Sequence, residues 1–412
     1  MGNMMNEINS CEVCGNVELV SVLDLGQHPM CDDLVEQGND RECKEYPIEI
    51  LYCKTCLTAH QRFQVPKEDL FPSTYHYRSR FTADVLNGMA ELVNSCEERF
   101  GSLQSKKVLD IGCNDGSLLD YFRNKGAETL GIEPTDAYKD ALEKNHVAYN
   151  DYLSVEVAEK IVKNHGKPDF ITFTNVFAHI ENLHEVLDSL RTLMSPTTVI
   201  IIENHYLGAV IRGNQFDTFY HEHPRTYSFN SFVFMAKSLE LSPIQVEFPA
   251  RYGGNIRVFI GDEKIYGTNN KVDTNELNAI EAGFFDKFAQ MRVNIETWKV
   301  QKKAQLNELI SQYGPLKAKA FPGRAAILVK LLELDETMIS EVYEKPGSLK
   351  IGYYLPGTRI IIKSDEEMYA LEDKSKPIVN LAWHIPTEIH GYLRKHGYTG
   401  DIIDVLSKED FE

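Results

Sequence analysis

The chain has 412 residues, 43% apolar and 25% charged, enough for two or three domains and typical of a folded globular protein; disorder and fibrous architectures are excluded. Its 43 basic and 61 acidic residues leave a formal charge of −18, so no nucleic-acid partner and no anionic-membrane surface is expected. The N-terminal residues lack a signal-peptide pattern and no run of about 18 apolar residues occurs, so the expectation is a cytoplasmic protein.

All eight cysteines lie at or before Cys113. Four of them repeat one spacing, Cys11-Glu-Val-Cys14 and Cys53-Lys-Thr-Cys56. A two-residue gap lets both thiolates of a knuckle face one tetrahedral cation, and two knuckles complete a four-sulfur shell. Disulfides have little place in a cytosolic chain. The expectation is a structural Zn2+ on Cys11, Cys14, Cys53 and Cys56, within an N-terminal module spanning residues 1–80. That module ends in Tyr75-His76-Tyr77-Arg78-Ser79-Arg80, and the apolar spacing from Phe81 to Phe100 predicts a helix leading onward.

Residues 81–272 alternate strand and helix patterns as a doubly wound parallel sheet does. Strands are expected at Lys107–Ile111, Thr129–Glu133, Phe170–Phe173 and Thr198–Glu203, with helices at Ser117–Asn124, Asp136–Lys144, Val155–Asn164 and Glu181–Leu193. The first strand runs into Asp110-Ile-Gly112-Cys-Asn114-Asp-Gly116. Glycines there let backbone approach a ligand at a helix N-terminus, and Glu133 closing the second strand can accept from both hydroxyls of a ribose. A nicotinamide dinucleotide usually wants G-x-G-x-x-G. The D-x-G-x-x-x-G found here instead resembles the first motif of class I S-adenosylmethionine-dependent methyltransferases. With Pro134 after Glu133 and Asn175 after the Phe170–Phe173 strand, the cofactor set is Asp110, Gly112, Asn114, Gly116, Glu133, Pro134 and Asn175.

The densest run of titratable groups is Tyr220-His221-Glu222-His223, and His179 follows a neighbouring strand. Loops at the carboxyl ends of adjacent parallel strands open on one crevice, so these groups can converge on the cofactor's methyl. A histidine removes a proton near neutral pH, a carboxylate orients it, and Tyr or His donors can hold a developing oxyanion.

Taken in order, the double C-x-x-C, Tyr-x-Tyr, D-I-G-C-N-D-G, N-V-F-A-H and Tyr-His-Glu-His motifs resemble the sugar C-methyltransferase family, which methylates carbon 3 of nucleoside-diphosphate 4-keto deoxysugars. The resemblance implies that His223 is the base, supported by Glu222 and Tyr220, with His179 a second active-site histidine and Tyr75 or Tyr77 an active-site tyrosine. It implies that the C4 ketone acidifies the C3 hydrogen, that His223 takes this proton, and that a donor such as His179 or a tyrosine holds the enolate oxygen. A diphosphate also needs local cations: the candidates are Arg78 and Arg80 beside the Tyr75/Tyr77 pair, Arg257 after Gly253-Gly254, and Arg324 or Lys350 in the last domain, with Arg80 and Arg257 favoured.

Residues 273–412 read as a helical connector, Asp273–Gln312, and a smaller α/β domain that the resemblance assigns to the sugar nucleotide. Its strands are expected near Lys317–Phe321, Met338–Val342, Arg359–Ile362, Ile378–Leu381 and Asp401–Val405. Here the chain departs from the family: Ala320-Phe-Pro322-Gly323-Arg324 replaces a glycine-rich turn, and His384 replaces the Asn after Ala-Trp. The carrier base therefore stays open among thymidine, guanosine and cytidine. The fold class is α/β, with a zinc-binding module, a Rossmann-like class I methyltransferase domain and a smaller α/β domain, and the protein is expected to be a monomer. The alternatives are a sugar O-methyltransferase and a catalytically inert zinc-containing binding protein.

Overall fold

The computed structural model describes residues 5–66, 70, 78–81, 83–270 and 272–412. Tyr75 and Tyr77 lie outside the described residues. By packing, the chain forms two compact units, one of Met1–Val20, Leu51–Val210 and Glu222–Phe285, the other of Ser21–Ile50, Ile211–His221 and Asp286–Glu412. None of the described helices is long and apolar enough to cross a membrane.

The first unit contains strand β1 (Thr58–Gln61) next to the second cysteine knuckle. Helix α1 (Ala83–Phe100) then lays Val85, Met89, Leu92, Val93 and Cys96 along one buried face. There follow β2 (Lys107–Ile111), α2 (Ser117–Asn124), β3 (Glu128–Ile132), α3 (Tyr138–Glu143), β4 (Val147–Tyr149) and α4 (Val155–His165). The unit continues with β5 (Phe170–Thr174), α5 (Leu183–Leu193), β6 (Val199–His205), β7 (Arg225–Thr226), α6 (Phe229–Ser238), β8 (Ser242–Glu247) and β9 (Asn255–Gly261). Seven strands make one sheet in the order β8-β9-β6-β5-β2-β3-β4. The five strands from β6 to β4 are parallel, while β9 runs antiparallel to both β6 and β8. Both β2 and β6 are buried on both faces, β6 through its Val199–Ile202 run, and the polar Asp110, Glu203 and Asn204 they carry are buried with them. Leu118, Leu119 and Phe122 of α2 share one core cluster with the α1 face.

Because β3 lies on one side of β2 and β5 on the other, chain order reverses at β2, and their carboxyl ends frame a topological switch point. The predicted strands and helices of this region are all present, with ends shifted by a few residues. Strands β4, β8 and β9 were not expected. The last of these changes the reading of Arg257, which sits inside β9 directly opposite Glu203 of β6.

The connector is two helices broken at Gly283, α7 (Thr274–Ala282) and α8 (Phe284–Tyr313). In the second unit the indole Nε1 of Trp298 on α8 donates to the Val405 carbonyl at 3.0 Å, in a fully buried position. The five expected strands appear as β10 (Leu316–Lys319), β11 (Ile339–Glu344), β12 (Ile361–Ser364), β13 (Ile378–Asn380) and β14 (Ile402–Asp404). All are parallel, in the order β14-β13-β10-β11-β12. This second sheet reverses between β10 and β13. Strand Tyr353–Tyr354 extends the β12 edge and in turn pairs antiparallel with Val35–Glu36, which is why part of the segment before the second knuckle packs with the C-terminal residues.

Candidate active site and metal centre

The four knuckle sulfurs all lie within 4.8 Å of one another. Cys11 and Cys56 Sγ are 3.3 Å apart and Cys14 and Cys53 Sγ 3.5 Å, far beyond a disulfide bond. Those spacings are close to the edge of a tetrahedron with metal–sulfur bonds of about 2.3 Å, so the set fits a closed zinc centre with four cysteine ligands. An unanticipated residue stands beside it: the buried His60 places Nε2 3.3 Å from Cys11 Sγ and Nδ1 3.6 Å from a Glu12 oxygen. Glu12 also accepts from Arg225 at 2.5 Å. Burial alone would raise the Glu12 pKa, but Arg225 and His60 outweigh it and hold it at about 2.

At the switch point, Gly112, Asn114 and Gly116 have φ of 72°, 50° and 74°, turning the loop back on itself. A Cβ at Gly112 would stand 2.5 Å from Val176 Cγ2, so no other residue fits beneath the 175–179 loop. Asp115, fully buried, accepts from the Ser117 amide and hydroxyl and so starts α2 where Gly116 has no side chain to cap it. Glu133 Oε2 accepts from the Asn114 amide at 3.0 Å, and Oε1 from Thr135, which fixes a carboxylate at the β3 end beside the loop. A low-bulk backbone cradle next to a fixed carboxylate is the chemistry that recognises a ribose. Pro134 follows half-buried, its carbonyl held by Asn150. Asn175, at φ 54°, bonds to the Glu203 carbonyl through its amide and accepts from Asn255. Asp110 sits below the loop; burial raises its pKa to about 7 against a 2.6 Å bond from Thr172.

Two of the expected catalytic residues come together. His179 and His223 have ring centroids 4.7 Å apart, and His205, overlooked in the sequence, lies 5.7 Å from His223. His205 ends β6, two residues beyond the predicted strand, so the carboxyl-end rule could have found it. His179 donates from Nδ1 to the main-chain carbonyl of buried Glu222 at 2.8 Å. The His179 residue keeps part of its surface, but protein encloses the ring; desolvation outweighs that hydrogen bond and lowers its pKa to about 4. A neutral ring whose Nδ1 faces a carbonyl carries its proton there, leaving Nε2 as an acceptor. Tyr220 and His221 pack with the second unit, where His221 Nε2 donates to the Tyr46 carbonyl at 3.1 Å.

The arginine expectations fare differently. Arg257 is 2% exposed, with Nε on Glu203 at 2.7 Å and Nη1 on Glu247 at 2.8 Å. Arg251 pairs with the same Glu203. With its fork committed to two carboxylates inside the sheet, Arg257 is a structural ion-pair residue and not a diphosphate ligand. Arg78 is bound to Asp136 and Asp140, and Arg80 to Asp140, at 2.7 to 2.9 Å. The Ser79 and Arg80 amides meanwhile bond to Asn114 and Asp115. The two guanidinium groups are thus held by carboxylates at the start of α3, while the backbone of their segment is fastened to the 112–116 loop. In the second unit, Arg324 bonds Asp217 through two nitrogens at 2.6 and 2.8 Å, beside the Trp383 ring.

Three family models match in succession: a zinc binding domain over residues 11–71, a methyltransferase domain over 76–244 and a C-methyltransferase C-terminal domain over 250–402. The C-methyltransferase NovU of Streptomyces niveus is 26% identical over 94% of this chain and 93% of its own length. A ubiquinone biosynthesis O-methyltransferase of Acinetobacter baylyi is 30% identical over only 25% of this chain and 45% of that protein. Among solved structures, the PH0226 protein of Pyrococcus horikoshii is similar over 48% of this chain and 98% of its own, with 15% identity and a TM-score of 0.37. The sheet order, its antiparallel β9 and the domain match are those of a class I methyltransferase. With a zinc binding domain before that fold and a C-methyltransferase C-terminal domain after it, the chain is a methyltransferase similar along its length to a C-methyltransferase.

Proposed function

We propose that the protein methylates C3 of a nucleoside-diphosphate-linked 4-keto-6-deoxyhexose, with S-adenosylmethionine as donor and His223 as the base. The observation that carries this reading is the His179–His223 pair, at 4.7 Å, beside Glu222 and in the same unit as the loop built on Gly112 and Glu133. Near-full-length similarity to a C-methyltransferase supports carbon over oxygen as the acceptor.

When bound, the cofactor supplies an electrophilic methyl group on a sulfonium sulfur. The residues have the remaining tasks. His223 removes the C3 proton that the neighbouring ketone acidifies, and Glu222 supports it. His179 Nε2, an acceptor, takes a hydrogen bond from a substrate hydroxyl; the enolate oxygen then falls to another donor, Tyr75 or Tyr77 by the family resemblance. Because the attack must be in line, positioning carries much of the rate enhancement.

The sugar nucleotide is assigned to the second unit, at the reversal between β10 and β13, where Arg324, its fork engaged by Asp217, holds the turn beside Trp383. Ligands of open α/β sheets bind at such reversals. The test incubates a panel of thymidine-, guanosine- and cytidine-diphosphate 4-keto-6-deoxysugars in deuterium oxide without cofactor. Wild type is expected to exchange C3–H and, once cofactor is added, to give a product whose new methyl correlates with a quaternary C3. An O–CH3 resonance instead would replace this reading with the O-methyltransferase one.

A further inference from the structure

Arg225 is fully buried, and every nitrogen of its guanidinium is engaged within the first unit. Nε donates to the Tyr227 hydroxyl at 2.9 Å and Nη1 to Glu12 at 2.5 Å. The remaining bonds go to two consecutive main-chain carbonyls, Ile180 and Glu181, with the Glu181 contacts at 3.2 and 3.3 Å. Those carbonyls directly follow His179. Arg225 itself follows His223 by two residues.

A salt bridge to Glu12 would account for one arm of this side chain. It does not account for the other donors converging on the turn that carries His179. Together with the His179–Glu222 bond, they tie the 177–181 turn to residues 222–225 at two points. A planar fork with five fixed donors spans a carboxylate and two carbonyls at once; a lysine ammonium groups its three donors on a single nitrogen and does not reach the whole set.

The same residues are tied to the cysteine centre. Strand β7 pairs antiparallel with β1, Arg225 opposite His60, and the Gln61 amide donates to the Pro224 carbonyl at 2.8 Å. Strand β1 starts two residues after Cys56. Side chains repeat the connection, from Cys11 Sγ to His60, from His60 to Glu12 and from Glu12 to Arg225. The knuckles therefore set where β1 lies, and β1 sets where the strand that follows His223 lies.

We propose that Arg225 is the positioning residue of the histidine pair, and that through it the metal centre fixes the geometry of His179 and His223. The zinc binding domain thereby acts on the chemistry as well as on folding. This rests on reading His223 as the base.

The test uses full-length protein labelled with 15N-histidine, with zinc content, S-adenosylmethionine affinity, histidine tautomer signals and steady-state kinetics measured together. Arg225→Lys is expected to keep one zinc per chain and near wild-type cofactor affinity. Its His179 should lose the single Nδ1–H tautomer signature, and kcat should fall about 10²-fold with little change in KM, as a misplaced reacting group costs. Glu12→Gln, which retains an acceptor for Arg225, should give a smaller change of the same kind. Stripping zinc with a chelator should produce the Arg225→Lys histidine spectrum in wild type. Zinc-replete Arg225→Lys with an unchanged His179 signal and unchanged kcat would overturn the proposal. If Arg225→Lys loses its zinc, zinc-replete Glu12→Gln becomes the deciding variant under the same criterion. His223→Ala separates the two readings: unchanged C3 exchange there overturns the base assignment, while the tautomer result in the Arg225 variant still stands or falls by itself.

Discussion

The imidazole Nδ1 of His179 donates to the main-chain carbonyl of Glu222 across 2.8 Å, so one catalytic candidate holds the backbone next to the other. Asparagine places an amide N–H close to that nitrogen and has nothing at Nε2. His179→Asn should therefore keep the loop and cofactor affinity while turnover falls at least about tenfold, as loss of a proton-accepting group would require. His179→Ala should lose more. Equal, wild-type turnover in His179→Asn would leave the ring with only its holding role.

His223→Ala should bind cofactor normally and lose about 10²–10⁴ in turnover, the usual contribution of a positioned base. Glu222→Gln should cost less, because the carbonyl that His179 uses belongs to the main chain and survives the change. Cofactor titration beside single-turnover kinetics reads both.

The metal prediction is stoichiometric. Purified protein should contain about one zinc per chain, and Cys53→Ser should lose it and destabilise β1 and the knuckles, since a structural zinc supplies folding free energy. Elemental analysis and limited proteolysis check this; a metal-free wild type with an intact fold would contradict it.

Much of the molecule was legible from the chain and some was not. The knuckles, the Asp110–Gly116 loop and Glu133 announce themselves because their chemistry lies in local spacing. Arg257 misled for the opposite reason: its partners Glu203 and Glu247 are brought to it only by the antiparallel pairing of β9 with β6 and β8, which no local pattern encodes. His60 and Arg225 escaped for the same cause, being far apart in sequence and opposite each other in register. Val35–Glu36 was likewise silent, two residues whose strand exists because Tyr353–Tyr354 is there to pair with it. The tautomer of His179 needed a carbonyl position, which spacing cannot supply.

Arg257→Ala should act on stability and not on substrate binding. It leaves Glu203, fully buried, with Arg251 as its remaining ionic partner, and breaking one side of a buried pair costs about 3–5 kcal/mol. Urea unfolding should show that loss while the KM of the residual folded enzyme stays put. A raised KM at unchanged stability would return Arg257 to the substrate site.

Two enclosed histidines of the second unit, together with the Asp217–Arg324 pair, yield the last expectation. Burial lowers the pKa of both His221 and His384 from 6.5 to about 4. Between those values the unfolded chain binds protons that the folded chain refuses, so stability falls as pH drops from 6.5 toward 4 and levels off below. The loss is up to about 2 kcal/mol per histidine between pH 6.5 and 5. His221→Gln keeps a donor near the Tyr46 carbonyl and should flatten the dependence. His384 lies beside Arg324, whose two nitrogens hold buried Asp217 while Trp383 Nε1 donates to the same carboxylate at 2.8 Å. Arg324→Gln should weaken binding of a nucleoside diphosphate alone, read by calorimetry across a panel of bases, and leave cofactor affinity unchanged. If no diphosphate in the panel binds wild type, or if Arg324→Gln binds as tightly, the carrier is held elsewhere and the β10–β13 reversal is not its site.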